Sequence, residues 1–456
     1  MKNRYISIGK AFFALIAGLS TVTCIPANPA SAELVSKVDK VANQSSVYGL
    51  AYAEGKLFYT DQEGGNVRSI LSAQEIAQKR LKAPKGLAVA PDQSIFVADS
   101  EQNQIYRITP EGRVDEYAGK GREGLQDGPS SKARFHGPSD VAIAPDGSIY
   151  VADTLNHRIR KIDGQTGEVS TVAGSGNVED EDGWLLGGYR DGKGSEAQFN
   201  EPSSIAFDGQ GNLYIADTGN QRIRKLALNG VVTTVAGSGK ELVGGRYYKG
   251  GFQDGSAASA RFNSPMGLTV SNDGTIYVAD TWNNSIREIS PEGWVRTVAG
   301  NATNGSKDSW GIEAQFDGPT DVAVTPDGVL FVADHWNRSI RQLTIVNIPV
   351  KQGSGIRMMI DQKPLHLKQQ PTIIQNQTFV PLREIAEALG YKVIFDPQKI
   401  SLQRGNEQLV ISTKDTRLIG GKAMISMREI GKLIQVDVNW LPTYRMIELT
   451  TRGKEG

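Results

Sequence analysis

A thirteen-residue pattern recurs six times along this chain, and no other feature limits its fold so strongly. It stands at 58–70 as FYTDQEGGNVRSI, at 96–108 as FVADSEQNQIYRI and at 150–162 as YVADTLNHRIRKI. It returns at 214–226 as YIADTGNQRIRKL, at 277–289 as YVADTWNNSIREI and at 331–343 as FVADHWNRSIRQL. The aspartates that mark the copies are Asp61, Asp99, Asp153, Asp217, Asp280 and Asp334, spaced 38 to 64 residues apart. A fixed motif at variable spacing means like structural units joined by loops of unequal length.

Each later unit reads as four short antiparallel strands. In the third, VAIA (141–144) meets the turn PDG, and SIYVAD (148–153) follows. RIRKID (158–163) comes next, then STVAG (170–174) after the glycine turn GQTGE. Alternating apolar residues broken by Pro-Asp-Gly and glycine-rich turns are the mark of hairpins. Six such units arranged radially make a β-propeller, here over residues 33–347. The first unit lacks a good fourth strand, and the sixth stops at LTIVN (343–347). The segment LVSKVDKVA (34–42) alternates like a strand and is expected to complete the sixth unit. Closing the ring that way leaves no free edge in the circular direction.

The consensus P-x-x-(I/V/L)-A followed by DG-x-(I/L)-(Y/F)-V-A-D-x-x-N-x-x-I-R resembles the NHL repeat over roughly residues 46–345. Five units carry most of it; the first departs, with Gly64 at the Asn position. The resemblance implies a six-bladed propeller. After a linker at 348–355, residues 356–451 change character. TFVPLREIAEALGYKVIFD (378–396) is echoed 45 residues later by AMISMREIGKLIQVDVNW (423–440), each a strand, a helix near Arg383 or Arg428, and a strand. This module resembles the stalk domain named after the N-terminal region of copper amine oxidases, which occurs in secreted proteins of Gram-positive bacteria. The name implies no copper, because the segment has one histidine, His366, and no cysteine. The fold class is thus mainly β: a six-bladed NHL-like propeller followed by a small α+β stalk domain.

Residues 1–32 read as an export signal. Lys2, Arg4 and Lys10 precede the apolar run AFFALIAGL, and Ala30-Ser31-Ala32 fits a cleavage site, so the mature chain is expected to begin near Glu33. The sole cysteine, Cys24, lies in that signal, and its context TVTC argues against a lipid anchor. The mature chain would then hold no thiol, which suits a secreted or wall-associated protein. Residues 33–345 carry 31 basic and 40 acidic side chains, a net of −9, whereas residues 346–456 carry 16 and 10, a net of +6. The acidic propeller argues against nucleic acid as a partner, and no later apolar stretch is long enough for membrane insertion.

The repeat's polar residues favour a structural role. Asp99, Asp153 with Asn156, Asp217 with Asn220, Asp280 with Asn283, and Asp334 with Asn337 fall where the second strand of a unit turns into the third. There an Asp or Asn side chain can hold turn amides. Six copies around a ring are a poor way to build one active site. His157 and His335 lie in such turns, and His136 precedes the third unit, but their placement does not give a three-ligand metal site. No motif asks for a cofactor. Asp140 and Asp321 begin the innermost strands of the third and sixth units, where the other units have Gly49, Gly86, Ser204 and Gly267. They are read as hydrated charges at a channel mouth. Phe135, Phe199, Phe262 and Phe316, from the shared A-x-F-x-x-P, are read as plugs between blades.

Strand order puts the long interblade insertions and the Asp-x-x-Asn turns on one rim. Trp282 and Trp336 stand in those turns, and Trp184, Tyr189, Tyr247, Tyr248 and Trp310 in the insertions. Aromatics on glycine-rich loops suit sugars or peptides. The reading is an exported, non-catalytic binding protein that recognises a glycan, peptide or protein at its loop-rich face, with the stalk aiding association with a cell-surface or wall polymer. The alternative is a secreted lyase or hydrolase acting at the channel mouth through Asp140 and Asp321.

Overall fold

The computed structural model describes residues 33–348 and 355–451, apart from 44–45, 71–75, 77–79, 177, 182, 184, 362, 376, 397 and 442–443. The export signal therefore lies outside the described residues. The turn chemistry of the repeat dictates its hairpins. In blade 3 the strands Asp140–Ile143, Ile149–Asp153, Arg158–Ile162 and Glu168–Ala173 pair antiparallel in sequence order. The first hairpin closes with Gly147 N donating to Ala144 O at 2.9 Å, and Asp146 Oδ1 accepting from Ser148 N at 3.0 Å. Gly147 sits at φ +81°, a conformation that costs glycine little and other residues more.

Six sheets of this kind stand radially. Their inner strands are Val47–Ala53, Pro84–Val89, Asp140–Ile143, Pro202–Phe207, Pro265–Val270 and Pro319–Val324. Each touches the next, and the last touches the first. Glu33–Asn43 pairs antiparallel with Ser339–Ile348, with an irregularity between Lys40 and Ala42, so the N-terminal segment supplies the fourth strand of blade 6 as its alternation predicts. Val38 from this strand is fully buried.

One feature departs from the four-strand expectation. The insertions add a short fifth strand outside blades 3 to 6: Gly128–Pro129, Gly192–Lys193, Gly255–Ser256 and Ser309–Trp310. An outermost strand otherwise presents unpaired backbone groups, and these pairs cover part of that edge. Blade 1 has three strands among the described residues.

Between blades the core repeats as well. Phe135, Phe199, Phe262 and Phe316 are fully buried, and each lies under a buried guanidinium. Arg160, Arg224, Arg287 and Arg341 sit 5.1 to 5.2 Å from these ring centroids. The phenylalanines are thus plugs, and the other half of each plug is a cation.

The C-terminal unit packs two short helices, Leu382–Ala388 and Met427–Ile434, against three small sheets. Leu382, Ile385, Ile430 and Ile434 from the helices meet Val380, Ile425 and Leu449 from the strands in one core. The unit is docked on the ring through Met359, Leu441 and Met446, which close over Trp310. No helix among the described residues is long and apolar enough to cross a membrane.

Candidate functional site

The Asp-x-x-Asn turn is the keystone of a charge network. Asp153 Oδ1 accepts from His136 N at 2.8 Å, and its Oδ2 accepts from Asn156 Nδ2 at 2.8 Å and Arg160 Nη1 at 2.7 Å. The other arm of Arg160 donates to Asp127 Oδ1 at 2.5 Å, and Asp127 also accepts from Thr171 N. Blade 4 repeats this with Asp217, Asn220, Arg224 and Asp191. Blade 5 uses Asp280, Asn283, Arg287 and Asp254, and blade 6 uses Asp334, Asn337, Arg341 and Asp308. In blade 2 Asp99 holds Lys82 N and Gln102 N instead, with Tyr106 at the arginine's place. Burial pushes the Asp280 carboxyl up to about 6 against the pull of Arg287. Sequence reasoning treated the arginine as a strand residue. The missed signal was a second aspartate, eight residues before each plug phenylalanine.

The residue after each Asn, or after Gln102 at the same position of blade 2, adopts a left-handed conformation and reaches the next blade. Asn103 Oδ1 accepts from Gly137 N, His157 Nδ1 from Glu201 N, Gln221 Oε1 from Ser264 N, and Asn284 Oδ1 from Gly318 N. His157 also donates through Nε2 to Leu185 O at 2.9 Å, so it is the neutral Nε2–H tautomer, and burial lowers its pKa. His335 takes another place: Thr154, Thr218 and Thr281 donate to Pro202 O, Pro265 O and Pro319 O, and His335 Nδ1 donates equivalently to Val47 O. The two histidines are interblade ties. Among the described residues no group of three or more His, Cys, Asp or Glu is placed to hold a metal, and His366 as the only histidine of the C-terminal unit does not make a copper donor set.

At the axis the structure corrects the reading of Asp140 and Asp321 as hydrated charges at an open mouth. Both line one cavity of about 10 Å³, room for about one water. Asp140 Oδ2 accepts from Ser204 Oγ and Ile205 N of blade 4, and Asp321 Oδ2 accepts from Leu50 N of blade 1. They are clamps between inner strands. A Cβ on Gly86 would meet Asp140 Oδ1 at 1.9 Å, and one on Gly267 would meet Asp321 Oδ1 at 2.5 Å. The glycines of blades 2 and 5 thus make room for the aspartates of blades 3 and 6. Enclosure pushes Asp140 up to about 7, and enclosure together with the charge of Asp140 holds Asp321 well above the usual carboxylate range.

The rim divides the predicted aromatics. Trp282 and Trp336 are 63% and 56% exposed and meet edge to face with centroids 6.3 Å apart. Trp336 lies against the backbone of Gly318 in the last insertion. Tyr189 and Tyr248 instead meet edge to face, and the Arg222 guanidinium lies against both rings at 4.2 and 4.4 Å. Tyr247 donates to Glu201 Oε1 at 2.6 Å. Trp310 is corrected: it is 1% exposed and anchors the C-terminal unit, because Met359, Leu441 and Met446 cover its indole. Trp184 lies outside the described residues. Elsewhere on the rim, the insertions of blades 4 and 5 and the turn of blade 3 enclose a recess of about 480 Å³ whose lining includes His136, Leu155, Leu185, Glu201, Arg246 and Tyr247. Turn and insertion residues share this recess, as the strand-order reading predicts.

The NHL repeat profile matches residues 135–162, 199–226 and 262–289, and the copper amine oxidase N-terminal domain profile matches residues 359–420. The Arabidopsis thaliana protein Suppressor of Quenching 1, chloroplastic, is 29% identical over 333 residues, covering 59% of this chain and 31% of that protein. NHL repeat-containing protein 2 of Bos taurus is 30% identical over 282 residues, covering 54% of this chain and 36% of that protein. The chain thus spans about a third of the length of these curated relatives. Among solved structures, a protein of unknown function from Bacteroides thetaiotaomicron is similar with a TM-score of 0.51 at 17% identity, covering 69% of this chain and 77% of the other. An auxiliary nutrient binding protein from the same organism is similar with a TM-score of 0.50 at 15% identity, covering 69% and 76%. Matched repeats, cyclic contact of six inner strands and the matched C-terminal unit together identify the chain as an NHL-repeat β-propeller protein that carries a copper amine oxidase N-terminal domain.

Proposed function

We propose that this is an exported, non-catalytic binding protein whose loop-rich rim takes a glycan or peptide. The observation that carries the reading is the pair Trp282 and Trp336, two indoles left more than half exposed at the same turn position of adjacent blades, more open than Leu155, Tyr247 or Phe252 in the other turns and insertions. Their edge-to-face contact and the seat on Gly318 fix both rings before a ligand arrives, which lowers the entropy lost on binding. Flat apolar faces with polar edges suit sugar rings and extended peptides. The similarity to an auxiliary nutrient binding protein is consistent with this reading. The C-terminal unit, with the opposite net charge to the propeller, is assigned to association with an anionic surface or wall polymer.

The lyase or hydrolase reading finds no support at the axis. The cavity between Asp140 and Asp321 is far smaller than a substrate, and backbone donors already engage both carboxylates. The test is retention of the mature protein on cell walls and on a glycan array, with Trp282→Ala and Trp336→Ala singly and together. Loss of retention at unchanged Tm supports the rim. Unchanged retention by the double variant removes it.

A further inference from the structure

The C-terminal unit carries the same groove twice. A shift of 45 residues brings Arg383 onto Arg428, Glu387 onto Lys432 and Phe395 onto Trp440. Each set lines its own cleft, of about 670 Å³ around the helix Leu382–Ala388 and about 720 Å³ around the helix Met427–Ile434. In both copies the aromatic belongs to a sheet-edge strand, Lys392–Phe395 or Val436–Leu441, and stays exposed, at 46% for Phe395 and 40% for Trp440.

An exposed aromatic beside an exposed arginine, repeated at one spacing in two halves of a duplicated unit, is not required by packing. The core of the unit is filled without either ring. In the first copy the Arg383 guanidinium lies 5.0 Å over Phe395. In the second, Arg428 makes no hydrogen bond or ion pair among the described residues, and Gln377, Thr378 and Asp437 share the cleft with Trp440. A flat ring walled by amide, hydroxyl and carboxylate groups satisfies the edge-on hydroxyls and apolar face of a pyranose. Val436 and Val438 precede Trp440 at alternate positions of the edge strand in the same cleft, so a peptide added at this edge is the competing occupant, which titration with an acidic decapeptide tests. The unpaired guanidinium and the +6 net charge of residues 346–456 select for negative charge on that sugar.

We infer that the two grooves of the C-terminal unit are duplicate binding sites for an anionic saccharide, a pyranose bearing a carboxylate or a phosphate, with Trp440 and Phe395 as stacking platforms and Arg428 and Arg383 as the anion contacts. Two sites on one rigid unit hold a polymer more tightly than either holds a monomer. The inference rests on the assignment of this unit to polymer association and is independent of the propeller rim.

The test is calorimetric titration of the full chain, rim tryptophans intact, with tri-galacturonate for the carboxylate source and N-acetylglucosamine 1-phosphate for the phosphate source. Maltotriose and an acidic decapeptide serve as controls. Binding of either anionic sugar at two sites per chain is expected. Trp440→Ala or Arg428→Ala should weaken one site by about tenfold or more, and Phe395→Ala or Arg383→Ala the other. All four side chains are exposed, and an unchanged Tm verifies that each variant keeps its fold. Binding of neither anionic sugar at millimolar concentration overturns the inference. So does equal binding of maltotriose or of the peptide, or titration that survives Trp440→Ala with Phe395→Ala. Failure of the rim shows separately, through unchanged wall retention of the Trp282 and Trp336 variants.

Discussion

Trp310 and Glu448 lie 138 residues apart, yet the indole N–H of one donates to Oε2 of the other at 2.7 Å, with both side chains buried. Lys37 of the ring-closing strand approaches the same carboxylate at 3.5 Å, and Tyr444 Oη accepts from Ile312 N at 2.7 Å. The last insertion, the ring-closing strand and the C-terminal unit therefore share one joint. Trp310→Ala is expected to cost about 3–5 kcal/mol at this joint, the range for deleting a buried large aromatic. Calorimetry should then show the C-terminal unit melting apart from the propeller. A single transition at an unchanged Tm would contradict the joint.

Arg224 is fully buried between Asp217 and Asp191, with Phe199 and Tyr189 against its faces. Arg224→Ala removes the partner of a buried carboxylate, and breaking such a pair costs about 3–5 kcal/mol. Chemical denaturation checks the value. Arg113→Ala, at the exposed pair with Asp115, should change stability by less than about 1 kcal/mol.

The axial aspartates predict a pH dependence of definite sign. Asp140 is pushed from 3.8 to about 7 in the folded chain, so between these values the folded state binds the proton that the unfolded state releases. Stability from this group is complete below about pH 4 and falls as the pH rises to about 7. Asp140→Asn should flatten that slope, and Asp321, freed from the neighbouring charge, should ionise at lower pH. A Tm series from pH 4 to 8 on the wild type and both Asn variants reads this directly. The group-specific slope is the difference between the curves, and identical curves would show that neither carboxyl is held protonated.

Gly318 has φ +57°, and a Cβ there would meet the Trp336 indole at 2.7 Å. Gly318→Ala should cost about 1–2 kcal/mol for the left-handed backbone and tip Trp336 away from Trp282. Tryptophan fluorescence reports the displacement, and wall retention should fall with it. An unchanged spectrum would show that the seat does not hold the ring.

Much of this was legible in the residues because the repeat encodes local geometry. The alternation of YVAD and RIRKI, the Pro-Asp-Gly turns and the spare strand at 34–42 predict six hairpin-built blades and the segment that closes them. Asp153 and Asn156 could be assigned to a turn, since they bond each other three residues apart, whereas their further partners His136 N and Gly124 O lie 17 and 32 residues away and were not legible. Arg160 could not be assigned its role, because Asp127 reaches it from an insertion 33 residues upstream.

The chain alone determined the blade, its turns, the ring's closing strand and the duplication of the C-terminal unit. Those depend on backbone hydrogen bonds and alternating burial, which act over neighbouring residues. Only the tertiary structure decided which side chains remain available to a ligand. Trp282, Trp310 and Trp336 look alike as loop tryptophans, but exposure depends on what other elements leave uncovered: the C-terminal unit buries Trp310, whereas the other two, packed on each other and with Trp336 on Gly318, keep more than half their surface open. Asp140 and Asp321 likewise changed from solvated charges to interblade clamps once ring closure brought inner strands of different blades within hydrogen-bonding distance.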